Sequence, residues 1–112
     1  MEIDIRDLEK PSLFDKFKVQ TYKDYELSGV LEYLPIMKSH HFYDLKHEFH
    51  QSILKLELSH ALKNLLYRID LTELQIKKAC ANSPEMHLQE VLAELMIKRI
   101  LQKVVLKELY SN

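Results

Sequence analysis

The stretch from Ser83 to Tyr110 constrains the chain most, because it has no glycine and a single proline at its second position. Its apolar residues are Met86, Leu88, Val91, Leu92, Leu95, Met96, Ile97, Ile100, Leu101, Val104, Val105, Leu106 and Leu109. Wound as a helix, they cover most of its surface and leave a polar strip through Glu90, Glu94, Lys98 and Gln102, flanked by Arg99 and Lys103. A helix this apolar is surrounded on most sides by protein. Charged residues interrupt every run of about 18, which excludes a membrane span.

The spacing predicts one helix over residues 83–110. Ser83 is the expected N-cap, its hydroxyl accepting from an orphan backbone N–H, with Pro84 at the first helical position. Glu85 and Glu90 near the start, and Lys98, Arg99, Lys103 and Lys107 in the second half, complement the helix dipole. About 27 residues at roughly 1.5 Å each give about 40 Å, against a radius of gyration of roughly 13–14 Å for a globule of this length. Such a helix is either the central core helix of a monomer or a protruding element that needs a partner. The expectation is the second: a homodimer, two-fold symmetry being the commonest in soluble oligomers. Its contact is placed at Ile97, Ile100, Leu101, Val104, Val105 and Leu109. The acids Glu2, Asp4, Asp7 and Glu9 are set against Lys98, Arg99, Lys103 and Lys107 of the other copy.

The rest of the chain reads as shorter pieces. One glycine and three prolines in 112 residues disfavour an all-β fold and favour helices joined by short loops. Residues 2–8 alternate, which suggests a short extended arm or edge strand, or an arm docking Ile3, Ile5 and Leu8 onto helices. Ser12 and Asp15 suggest a cap for a short helix over Leu13–Lys18. A helix over Tyr22–Leu34 follows, with Thr21 as N-cap and Leu27, Val30, Leu31 and Leu34 on one face. Gly29 either permits a close approach or breaks this helix, and Pro35 ends it.

From Ser39 the helical pattern continues to about Arg68, but its apolar face changes. Phe42, Leu45, Phe49, Ile53 and Leu56 lie roughly opposite Leu54, Leu58, Leu62, Leu65 and Ile69 on a straight helix. The chain either breaks near Gln51–Lys55 or is sandwiched; the lack of glycine and proline there favours the sandwich. Asp70 with Glu73, and Ile69 with Leu74, suggest a capping box and hydrophobic staple for a helix over 71–81, closed by Asn82. The expected architecture is all-α: one domain over 1–112, a bundle of four to five helices with a long C-terminal helix and a short extended N-terminal arm over 1–10.

Chemistry is sparse. Five of the six histidines, His40, His41, His47, His50 and His60, fall within one short stretch. His40, Asp44 and His47 at i, i+4 and i+7 would share a helical stripe suited to a divalent metal, with His87 a candidate further ligand. Glu57 and His60 match half of a di-iron motif, but no second Glu-x-x-His exists. The competing reading makes the histidine stripe a solvated face. Cys80 is the only cysteine, so no intrachain disulfide can form, and at an apolar helical position it reads as an inert thiol rather than a nucleophile. Phe14, Lys16, Phe17, Lys18, Tyr22, Lys23 and Tyr25 interleave aromatic and basic residues as nucleic-acid binders do, but Asp15, Asp24 and Glu26 cancel the charge. A formal net charge of −1 gives no electrostatic reason to expect nucleic acid or anionic lipid. The acidic start, Met1 to Asp4, lacks the features of a signal peptide, so the expected compartment is the cytoplasm.

No motif names a reaction or a family. Two readings remain: a non-enzymatic protein working through protein–protein contact, and a helical-bundle metal or small-ligand protein, with an enzyme among its forms, using His40–His60.

Overall fold

A computed structural model describes residues 3–110. Two 3-10 turns, Ile5–Glu9 and Leu31–Tyr33, accompany five helices: α1 (Pro11–Leu27), α2 (Phe42–Leu58), α3 (Leu62–Ile69), α4 (Glu73–Asn82) and α5 (Leu88–Tyr110). No strand occurs among the described residues. The all-α architecture with a long C-terminal helix is as expected.

Helix α5 is the axis of the molecule. Its 23 residues at about 1.5 Å each give about 35 Å, close to the longest extent of 38 Å. Helices α1 to α4 and the first 3-10 turn all contact it. Its broad apolar surface is therefore covered from several sides within one chain: Val91, Leu92, Ala93, Met96, Ile97, Ile100, Leu101 and Val104 are all buried. Against it α2 lays Leu45, Phe49, Ile53 and Leu56, and α1 adds Phe17 and Tyr25. No helix among the described residues is long and apolar enough to cross a membrane.

The four buried polar residues, Gln20, Thr21, Asp24 and Ser52, are paired. The Tyr25 hydroxyl meets Ser52 Oγ at 2.6 Å, and Ser52 donates to the Tyr33 carbonyl at 2.6 Å, tying α1, α2 and the second 3-10 turn together. Burial pushes the Tyr25 phenol above its ordinary pKa, partly offset by the Ser52 hydrogen bond. The Asp24 carboxylate, with its side chain 4% exposed, accepts from Lys103 at 2.9 Å and Gln20 at 3.1 Å. A buried carboxylate of this kind persists only when it is paired.

Several boundaries differ from the sequence reading. Met1 and Glu2 lie outside the described residues. From Asp4 the expected extended arm winds instead into a 3-10 turn, because the Asp4 carboxylate accepts the Arg6 backbone N–H at 2.9 Å. Its fully buried Leu8 docks it onto the helices, as the arm's second reading had it. The two helices expected over 13–34 are one, α1, with Pro11 at its start. Thr21 is no N-cap: its hydroxyl donates to the Phe17 carbonyl four residues back, at 2.8 Å, and the helix runs on. Gly29 is the break, at φ 72° with nothing near its missing Cβ. Val30 N–H bonds to the Tyr25 carbonyl and Gly29 N–H to that of Glu26, which makes a Schellman closure.

The predicted long helix of residues 39–68 is also broken, though at Ser59–Ala61 rather than near Gln51–Lys55. Ala61 N–H bonds to the Leu56 carbonyl and His60 N–H to that of Glu57, with His60 in the left-handed region at φ 58°. This is the same closure without a glycine. The cap of α4 is Thr72 with Gln75, not Asp70 with Glu73, and the expected staple residue Leu74 is exposed. Asp70 instead closes α3 at φ 71°. Ser83 closes α4, and Pro84 follows it in a turn, a common place for proline after a helix end. Helix α5 begins at Leu88, four residues after the predicted first helical position at Pro84, its first bonds running to the His87 carbonyl.

Candidate functional site

Helices α3 and α4 follow one another through a short turn, and their packing differs from the rest. Leu65 and Ile69 of α3 are fully buried, while Leu62 and Leu66 are only half covered. The left-handed residues His60 and Asp70 turn the chain at the two ends of α3. Leu71 then leads to Thr72, whose hydroxyl accepts from Gln75 N–H at 3.1 Å while Gln75 returns its side-chain oxygen to Thr72 N–H at 2.9 Å. That reciprocal cap starts α4, which has no buried residue; Ile76, Ala79 and Cys80 are half covered and Leu74 is 76% exposed.

Between the two helices lies a groove of about 690 Å³. Leu62, Leu66, Leu71 and Ile76 give it an apolar lining, and Tyr67, 87% exposed, stands on its wall. Glu57, His60, Lys63, Asp70, Thr72 and Glu73 complete it. Asp70 is held by Arg99 of α5 at 2.9 Å, and Glu57 accepts from the Gln89 amide at 3.3 Å. Among the described residues, Lys63 and Glu73 have no ionic partner. The arrangement offers apolar surface with a mixed polar rim. It does not assemble a nucleophile with a base.

The residues singled out from sequence are placed differently. His40 precedes α2 and packs edge-on to the Phe14 ring, 6.1 Å between centroids, so it shares no helical stripe with Asp44 and His47. The correction follows from the start of α2 at Phe42. All three side chains are exposed, and no group of three or more metal-ligating side chains comes together among the described residues. His87 is exposed ahead of α5. Beside His47, Glu48 has one buried carboxylate oxygen without a hydrogen-bond partner. Burial and the neighbouring Asp44 hold its carboxyl above the ordinary range, against the opposing pull of Lys38 and His47.

Most of the aromatic–basic run on α1 is taken up by the fold, with Tyr22 and Lys23 left exposed. Phe17 and Tyr25 are fully buried, Lys18 lies 4.8 Å from the Phe14 ring centroid, and Lys16 pairs with Glu108. Of the six positions expected at a subunit contact, Ile97, Ile100, Leu101 and Val104 are inside the chain's own core, because α1 and α2 cover that face of α5. Val105 is partly buried and Leu109 is exposed. Three of the four expected partners of the N-terminal acids are engaged internally, Lys103 with Asp24, Arg99 with Asp70 and Lys107 with Gln20, while Lys98 is exposed.

Sequence reasoning did not find the groove. Its signal was present in the changed apolar face at Leu62, Leu65 and Ile69, and in the few apolar positions of α4. Compared with known proteins, the chain matches no family model, no curated protein and no solved structure, so the functional reading rests on the groove itself.

Proposed function

We propose that this protein acts through protein–protein contact rather than catalysis, as a cytoplasmic homodimer, with the α3–α4 groove as its contact surface. One observation carries the reading: the least covered helix of the fold borders an apolar groove, and an almost fully exposed tyrosine stands on the groove's wall. Exposed apolar surface of this kind marks association sites, and tyrosine is enriched at their energetic centres. The sole cysteine, a free thiol, fits a reducing compartment.

A photo-crosslinking residue placed at Tyr67 should give protein adducts in cells, while one at the exposed Lys23 of α1 should give few. Equal yields at the two positions would remove the groove from the reading. Light scattering at micromolar concentration should report twice the 13.4 kDa chain mass.

A second reading has one observation in its favour. The groove falls within the roughly 300–1,000 Å³ of small-molecule sites, and Glu57 and His60 on its wall offer polar groups to orient a ligand. A small apolar molecule retained through purification and seen by native mass spectrometry would favour it over the first.

A further inference from the structure

We propose that a second cleft, between α4 and α5, binds a small organic anion with an apolar body, of the medium-chain carboxylate kind. The inference does not depend on the reading of the α3–α4 groove.

The cleft measures about 460 Å³, within the roughly 300–1,000 Å³ of small-molecule sites. Its walls are two helical stripes. Helix α4 presents Gln75, Lys78, Ala79 and Asn82. Helix α5 presents Leu95, Lys98, Arg99 and Gln102. Both sets are spaced i, i+3, i+4 and i+7, which makes them neighbours along one face of their helix. The packing of α4 on α5 sets the two faces side by side. Ala79 and Leu95 then join Ile3 and Leu71 as the apolar part of the lining, all four of them half covered. The α3–α4 groove takes Thr72, Glu73 and Ile76 from α4 instead, so the two recesses use different faces of that helix and share Leu71 alone among the described residues.

Charge selects the ligand. Among the described lining residues Lys78, Lys98 and Arg99 are cationic and none is acidic. Arg99 is offset by Asp70 at 2.9 Å, and its second bond, to the Gln102 amide oxygen at 2.7 Å, fixes the guanidinium. Asp4, which meets Lys98 on an adjoining recess, is held by Arg6 at 2.8 Å. That leaves Lys78 and Lys98, both exposed and without an ionic partner among the described residues. Gln75 adds a donor: its side-chain oxygen is taken by the Thr72 N–H at 2.9 Å, which leaves its amide N–H groups to donate. Ammonium groups from two helices beside an apolar lining fit a carboxylate head on an apolar body. A cation is repelled there, and a neutral apolar molecule leaves both ammonium groups unused.

Octanoate is the probe, with 1-octanol as its uncharged counterpart and acetate as the head alone. In heteronuclear NMR titrations of the full chain, octanoate should shift the backbone amides of Lys78, Ala79, Leu95 and Arg99, with a dissociation constant on the order of 1 mM. Octanol and acetate should each bind at least about tenfold more weakly. Lys78→Gln and Lys98→Gln alter exposed side chains, so the spectra should keep their dispersion. Each should weaken octanoate roughly twofold to fivefold and leave octanol unchanged. Raising the salt from about 50 mM to about 500 mM should weaken octanoate and not octanol. Octanoate shifts that do not saturate by about 10 mM, octanol that binds as tightly as octanoate, or lysine variants that bind octanoate like the wild type would each overturn the proposal. Shifts confined to Leu62 and Tyr67 would overturn it as well and move the ligand to the α3–α4 groove. None of these results bears on the crosslinking at Tyr67, which tests the protein-contact reading separately.

Discussion

Helix α2 buries Leu45, Phe49, Ser52, Ile53 and Leu56, whereas α4 buries none of its ten residues. Both are amphipathic helices packed beside α5. The difference lies in what surrounds them. Helix α2 is enclosed by α5, α3 and the second 3-10 turn, while α4 meets α5 alone among the helices to any extent. One face of α2 goes wholly into the core, while the apolar residues of α4 stay half covered or exposed. Burial is thus unevenly distributed, and the less covered part of a structure is where local opening is easiest.

The sharpest way to break this comparison is to truncate one aromatic in each region. Phe49 is fully buried, with the Phe17 ring 6.0 Å away. Phe49→Ala should cost about 3–5 kcal/mol, a large share of the roughly 5–15 kcal/mol that holds a domain together. Tyr67→Ala should change stability by no more than about 0.5 kcal/mol. Urea titration at low protein concentration, where association does not contribute, measures both. A Tyr67→Ala loss comparable to that of Phe49→Ala would make the exposed side of α3 part of the core and end the contrast.

The two regions also differed in how far they could be read from sequence. The first apolar set, Leu45, Phe49, Ile53 and Leu56, names the face of α2 that enters the core, because heptad-like spacing and burial coincide there. Helix α3 was read as the end of a longer helix, because the break at Ser59–Ala61 carries no glycine or proline, whereas the boundary at Asp70 was expected. His60 and Asp70 hold left-handed conformations that intrinsic preference does not announce. The long helix shows a different limit. Its breadth of apolar surface correctly required cover on several sides, but periodicity cannot say whether that cover comes from the same chain. Ile97, Ile100, Leu101 and Val104 were assigned to a partner, and α1 and α2 supply it. The metal stripe failed by a boundary shift: once α2 begins at Phe42, His40 leaves the face of Asp44 and His47.

A smaller effect tests the hinge between the regions. His60 adopts φ 58° where α2 gives way to α3, a conformation that glycine takes without a Cβ penalty. His60→Gly should therefore raise the unfolding free energy by about 0.5–1 kcal/mol, read as a higher midpoint in thermal denaturation. A lower midpoint would show that the imidazole makes a contribution that outweighs the backbone strain, and would tie the groove wall more closely to the fold than the comparison allows.

The smallest effect concerns a flaw in the well-packed region. Glu48 of α2 has one buried carboxylate oxygen with no hydrogen-bond partner, and burial, then Asp44, raises its pKa. A carboxyl that binds its proton more tightly folded than unfolded favours the folded state below its unfolded pKa. That advantage is lost as pH rises through the folded value, so at neutral pH the ionised group is a liability. Glu48→Gln removes the titration while keeping the shape. It should raise stability at pH 7 by less than about 1 kcal/mol, since Glu48 is only partly buried and Lys38 and His47 offset part of the penalty. The gain should shrink as the pH falls into the carboxylate range, where Glu48 of the wild type becomes neutral. Paired melting curves at pH 4 and pH 7 measure it. A gain that is the same at both values would mean the carboxylate finds a partner on ionising. The polar groups of α2 would then be as well satisfied as its core face of Leu45, Phe49, Ile53 and Leu56, which sharpens its contrast with α4.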